Sequence, residues 1–171
     1  MENFTNETID TAQLPRFEEV AMTALHRDYW KVVLLTWLII FGVIAIGLVA
    51  AVAFIEEFQT IGATLLVPLL ALIGLCLFFA RISFRKKAFA FRNHDVLFRH
   101  GIIATTTIVI PYNRVQHVAL HEGFISRFFG LATIEIFTAG GSSSDIEIPG
   151  IEKEQAENIK QLLMGKIQKE L

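Results

Sequence analysis

One cysteine, Cys76, stands in 171 residues, so no intrachain disulfide can form, in keeping with a reducing compartment for the polar part of the chain. Charge is missing from two long stretches: residues 32–55 and 61–80 contain no Asp, Glu, His, Lys or Arg. Pumps and carriers need such groups along their path, which speaks against transport by this chain alone. The first ten residues lack both a basic cluster and an apolar core, so they do not read as a signal peptide. Ser142, Ser143 and Ser144 have no GxSxG context, and Gly140-Gly141 lacks the spacing of a phosphate-binding loop. His117 and His121 share a strand face but stand ~13 Å apart at ~3.3 Å per residue, too far for one metal ion. No catalytic residue, metal or cofactor is expected, and no nucleic-acid partner.

The two uncharged stretches are also the chief feature present. At ~1.5 Å per residue they reach about 36 and 30 Å, each enough for a ~30 Å hydrocarbon core. The short connection Glu56–Thr60 forces the second helix back beside the first. Arg16, Arg27 and Lys31 precede the first span, Arg81, Arg85, Lys86 and Lys87 follow the second, and the connection has no Lys or Arg. The positive-inside rule then puts both termini in the cytoplasm, with the chain passing twice through the membrane. The expected division is a disordered stretch at 1–12, a juxtamembrane amphipathic segment at 13–31, transmembrane helices at 32–55 and 61–80, an external loop at 56–60, a basic linker at 81–87 and a folded domain at 88–171. In the juxtamembrane segment Leu14, Phe17, Val20, Ala21, Ala24 and Leu25 fall near one helical face, so it reads either as a helix lying along the inner membrane surface or as an ordinary lead-in to the first span. Tyr29, Trp30 and Trp37 are interfacial aromatics. Gly42, Gly47, Gly62 and Gly74 permit close helix approach, and Pro68 is expected to kink the second helix.

After Lys87 the apolar period drops to two. Strands are expected at Ala88–Arg92, Val96–His100, Ile103–Ile110, Val115–His121, Ala132–Thr138 and Ser144–Ile148, joined by Asn, Gly and Pro turns. Asp145 and Glu147 alternate onto the solvent side of the last. A helix closes the chain: Ala156, Ile159, Leu163 and Ile167 form one stripe, with acids early and lysines late to match the dipole. Its stripe needs a bent sheet to cover.

The stretch Ile110-Pro111-Tyr112-Asn113-Arg114-Val115-Gln116-His117-Val118 resembles the IPxxRIQxV segment of bacterial pleckstrin-homology-like (PH-like) domains. Phe128-Phe129-Gly130-Leu131-Ala132-Thr133-Ile134 is similar to their xFGxAxI segment, and Thr138-Ala139-Gly140-Gly141 to their TAGG turn. Two spans before one such domain resemble the short YdbS-like membrane proteins of bacteria. The resemblance implies a PH-like bent antiparallel sandwich, or barrel, plugged by the C-terminal helix. That fold usually has seven strands, so two of them are expected to be merged in the six above. It also implies structural roles for Pro111, Arg114, Gln116, Phe129, Gly130 and Gly140. Pro111 ends a strand where its missing N–H is harmless, and Gly130 ends a helical turn at Ile125–Phe129 with positive φ. Phe124, Phe128 and Phe129 are then core or interface plugs, with the core as the leading reading.

Arg81, Arg85, Lys86 and Lys87 either set topology or also attract anionic lipid, at roughly 1 kcal/mol per residue. Phosphoinositide recognition in the manner of eukaryotic PH domains is not expected, because the loop Asn93-His94-Asp95 has no converging arginines. The resulting expectation is a non-enzymatic, membrane-anchored binding and assembly module. The resemblance implies a partner, a larger membrane protein with several PH-like domains, or self-association into a homo-oligomer. The alternative is a module that senses anionic lipid or envelope stress.

Overall fold

The hairpin interrupts a sheet instead of preceding it. The computed structural model describes residues 8, 10, 19–140 and 145–170. Strand β1 (Thr23–Ala24) comes first, then helices α1 (Tyr29–Phe54) and α2 (Glu56–Lys86). Strands β2 (Ala88–Phe91), β3 (Asp95–His100) and β4 (Thr106–Pro111) follow, then a 3-10 turn at Tyr112–Arg114 and β5 (Val115–His121). The short helix α3 (Phe124–Phe128), strands β6 (Leu131–Thr138) and β7 (Ile146–Glu152), and helix α4 (Lys153–Glu170) complete the chain. Both sheets are antiparallel, in the orders β1-β2-β3-β4 and β5-β6-β7.

The seventh strand of the sandwich is therefore β1. It lies upstream of the spans and pairs Thr23 with Phe89 and Ala24 with Ala88. This corrects two expectations at once: no two strands were merged, and the folded domain does not begin at residue 88. Of the supposed amphipathic segment, 13–18 lie outside the described residues. Residues 19–31 hold a turn, β1 and the first residues of α1. Leu25, read as part of a membrane-facing stripe, is instead 5% exposed in the domain core, because β1 carries it there. Apart from residues 8 and 10, the stretch expected to be disordered lies outside the described residues, as does the serine turn at 141–144.

Residues 56–60 also differ from expectation, being helical. Ile55 alone is extended, at φ −120 and ψ 113, and makes the reversal. Glu56, at the first helical position, sits where the positive end of the helix dipole favours a carboxylate. Helix α2 runs on through Pro68. Its Gly62 meets α1 closely, since a Cβ there would lie 2.5 Å from a Val52 methyl. Gly42, Gly47 and Gly74 face open space. The two apolar helices are almost wholly exposed to their surroundings, at 11% and 0% burial, so they are not the core of a soluble domain.

The domain core gathers the inward faces of both sheets: Val96, Ile134, Ile136 and Ile148 are fully buried beneath α4. The α4 stripe packs as its period requires, with Ala156 and Leu163 buried and Ile159 and Ile167 partly so. Strand β7 continues past Ile148 because Pro149 and Gly150 together oppose Thr133, a bulge that the edge position tolerates. The bulge turns Gly150 toward the hairpin. Its carbonyl accepts a bond from the His26 N–H at 2.9 Å, and the Tyr29 ring sits where a Cβ would be, 2.5 Å away at Cγ. With φ +67, only glycine fits comfortably.

Candidate site at the domain end of the hairpin

Where α1 begins and α2 ends, both helices meet the sheet, and their charged and aromatic residues converge. Arg81 projects from α2 with its guanidinium 4.7 Å from the Trp30 ring centre and 5.6 Å from that of Phe84. The two rings are themselves 5.9 Å apart. Such stacking holds a guanidinium in place while leaving its N–H groups free to donate. From the other side come His26, Arg27, Asp28 and Lys31, which complete a pocket of about 530 Å³. Lys31 Nζ lies 2.6 Å from Asp28 Oδ1, and this hydrogen bond holds the Asp28 carboxyl below its usual range. Among the described residues Arg81 pairs with no carboxylate.

The four basic residues expected to act as one cluster are split. Arg81 joins the pocket just described. Arg85 and Lys86 line a smaller hollow with Arg99 and Thr105, and the Lys86 ammonium donates to the Ile102 carbonyl at 2.6 Å. Lys87 is half-buried against the sheet, where burial pushes its ammonium down from the usual lysine range and Glu147 pulls the other way.

The structural motif residues separate as well. Pro111, Arg114 and Gly140 come together beside Ile108, Val109 and Thr138 in a cleft of about 370 Å³. Gln116 is the extra residue of a bulge between β5 and β6 and points to solvent. Phe129 and Gly130 lie at the opposite end, near α1. Lys31 Nζ is 5.8 Å from the Phe129 ring, and Gly130 (φ +64) accepts the N–H of Lys153 at 2.9 Å. Phe124 and Phe128 are not core plugs. They are 77% and 75% exposed and contact each other edge-on, because α3 is a single short turn wedged between β6 and the start of α1. The buried aromatic of the motif residues is Tyr112, in the 3-10 turn before β5. It is 2% exposed and donates to the Arg92 carbonyl at 2.6 Å.

His117 stacks on Phe137, 4.1 Å between ring centres. Asp145, read as solvated, accepts the Thr138 N–H at 2.8 Å. Reasoning from sequence missed that His26, Asp28 and Phe84 line one pocket with Arg81. The available signal was that a hairpin returns to its starting level, so residues just before α1 and in the last turns of α2 must be neighbours.

A bent sandwich of four and three antiparallel strands, plugged by a C-terminal helix and carried on two apolar helices, defines a membrane-associated PH-like protein. The chain belongs to the family described as Bacterial PH domain, whose model matches residues 32–167. It is similar to the transmembrane protein YdbS of Bacillus subtilis (strain 168), with 34% identity over 67 residues. That match spans 39% of this chain and 40% of the relative's length. No solved structure matches.

Proposed function

We propose that the chain is a non-enzymatic assembly module. Its PH-like domain is held on the cytoplasmic side of the bacterial inner membrane and joins a second membrane protein that bears PH-like domains. The observation that carries this reading is the outer edge of β4. Among the described residues that strand pairs only with β3, and its outer side borders the cleft of Ile108, Val109, Pro111, Arg114 and Gly140. An unpaired, apolar strand edge next to a cleft is the geometry in which a partner's extended segment adds to a sheet. Val109 is 40% exposed there. The orientation is supported by charge: Arg27, Lys31, Arg81, Arg85 and Lys86 all lie at the domain end, and the turn at Ile55–Thr60 has no basic residue.

The test is co-purification from native membranes in mild detergent. The unaltered chain should bring down a membrane protein with PH-like domains. Val109→Asp, at a position that is not core, should lose it while unfolding within a few degrees of the parent. A parent chain that elutes alone, or a variant that keeps its partner, overturns the reading.

A further inference from the structure

We propose that the groove between α1 and α2 holds one anionic phospholipid, with its phosphate beside Arg81 and an acyl chain running along the apolar part. Two adjoining hollows carry the argument. The first is the pocket of Arg81, Trp30 and Phe84, in which Arg27, Lys31 and Arg81 face the single carboxylate of Asp28. Positive charge is thus left uncompensated among the described residues, at the level where apolar helix gives way to the domain. The second is a groove of about 540 Å³ whose walls include Leu34, Trp37, Leu38, Phe41 and Gly42 on α1 and Leu77 on α2.

Helical spacing makes the two continuous. Leu34 lies one turn beyond Trp30 and Lys31, and Leu77 one turn from Arg81, so they share a face. From Leu34 to Ala45 the groove extends ~17 Å, close to half of a ~30 Å hydrocarbon core. A cationic head pocket opening onto an apolar channel one leaflet deep fits an amphiphile with an anionic head. A partner helix would fill the channel but leave the cations unanswered. Free phosphate would satisfy the cations but leave the channel empty. Arg81 is suited to a phosphate because the Trp30 and Phe84 faces hold its planar fork in place.

The chain's two tryptophans, Trp30 and Trp37, lie one in each hollow, which supplies the readout. The full chain, delipidated in a neutral detergent, is titrated with phosphatidylglycerol brominated on its acyl chains. Fluorescence should be quenched saturably near one lipid per chain. Unbrominated phosphatidylglycerol should reverse the quenching, and phosphatidylcholine or millimolar inorganic phosphate should not. Arg81→Gln should weaken the interaction about tenfold, the loss of one charge-assisted contact, and Arg81→Lys less. Arg85→Gln, outside the pocket, should leave it unchanged, and near-identical melting curves check that the variants are folded. Equal quenching by brominated phosphatidylcholine, displacement by inorganic phosphate, equal loss in Arg85→Gln, or no quenching of Trp37 (the groove then being filled by something else) each overturns the proposal.

Discussion

A single phenol does much to tie the β2–β3 turn to the start of β5. Tyr112 donates to the Arg92 carbonyl at 2.6 Å, and its own N–H donates to the His94 carbonyl at 3.0 Å. Arg92 in turn reaches both oxygens of Asp95, with Nε to Oδ1 at 2.6 Å. Burial, reinforced by Asp95 and opposed by Arg92, pushes the Tyr112 hydroxyl up to about 12. An unfolded tyrosine ionises near 10. The folded state therefore keeps a proton that the unfolded chain gives up, and stability falls as pH rises. The contribution is intact below about pH 10 and is lost between about pH 10 and 12, by roughly 3 kcal/mol. Tyr112→Phe should cost about 1 kcal/mol at neutral pH, the ordinary loss of a buried hydrogen bond. It should also remove this alkaline step. Denaturant melts of both forms at several pH values test it, and a step of the same size in the variant rules this origin out.

At the scale of elements, the legible parts of the chain were those in which local pattern and tertiary packing agree. The stripe of Ala156, Ile159, Leu163 and Ile167 lies on the core, and Gly130 takes positive φ at the end of α3. The strand alternation around Ile134 and Ile136 also marks buried positions. What stayed hidden was β1. Two residues carry no period, and the strand they complete lies more than sixty residues further on, beyond the hairpin. The bulge at Pro149-Gly150 lay past the strand as read to Ile148, and its purpose, seating Tyr29, depends on where α1 starts. The pocket was half legible for the same reason: its cations were visible as flanking charge, but their convergence required the return of α2. A domain cut at residue 88 therefore lacks β1 and the buried Leu25, leaving Ala88 and Phe89 on an open edge. Joining residues 19–28 to residue 87 by a short Gly/Ser linker, with the hairpin removed, should restore a cooperative fold. The 88–171 fragment should be weaker by at least about 2 kcal/mol, the worth of one buried leucine with its strand. Equal denaturation midpoints for the two soluble proteins would show that β1 is dispensable.

For the molecule as a whole, inserting the hairpin between two paired strands means that it joins the domain through two chain segments instead of one. A span attached only through a linker at 81–87 would let the domain swivel. Here β1 leads into α1 on one side and α2 leads into β2 on the other, while β1 and β2 are bonded to each other. Further ties cross the junction: His26 to Gly150, the Tyr29 ring over Gly150, and Lys86 to the Ile102 carbonyl of the β3–β4 turn. The domain is thus fixed in angle to the helices, and whatever tilts the helices in the bilayer turns the outer edge of β4 with them. Spin labels at Ile46 on α1 and Gln161 on α4, both exposed, measure this directly once Cys76→Ser has removed the native thiol. In lipid nanodiscs the distance between them should show one narrow distribution. Gly150→Ala places a Cβ 2.5 Å from Tyr29 Cγ on a backbone of positive φ, so Tyr29 has to leave its seat. That variant should broaden the distribution while both helices remain inserted. A parent distribution already as broad as that of a free linker would mean that the two connections do not fix the domain.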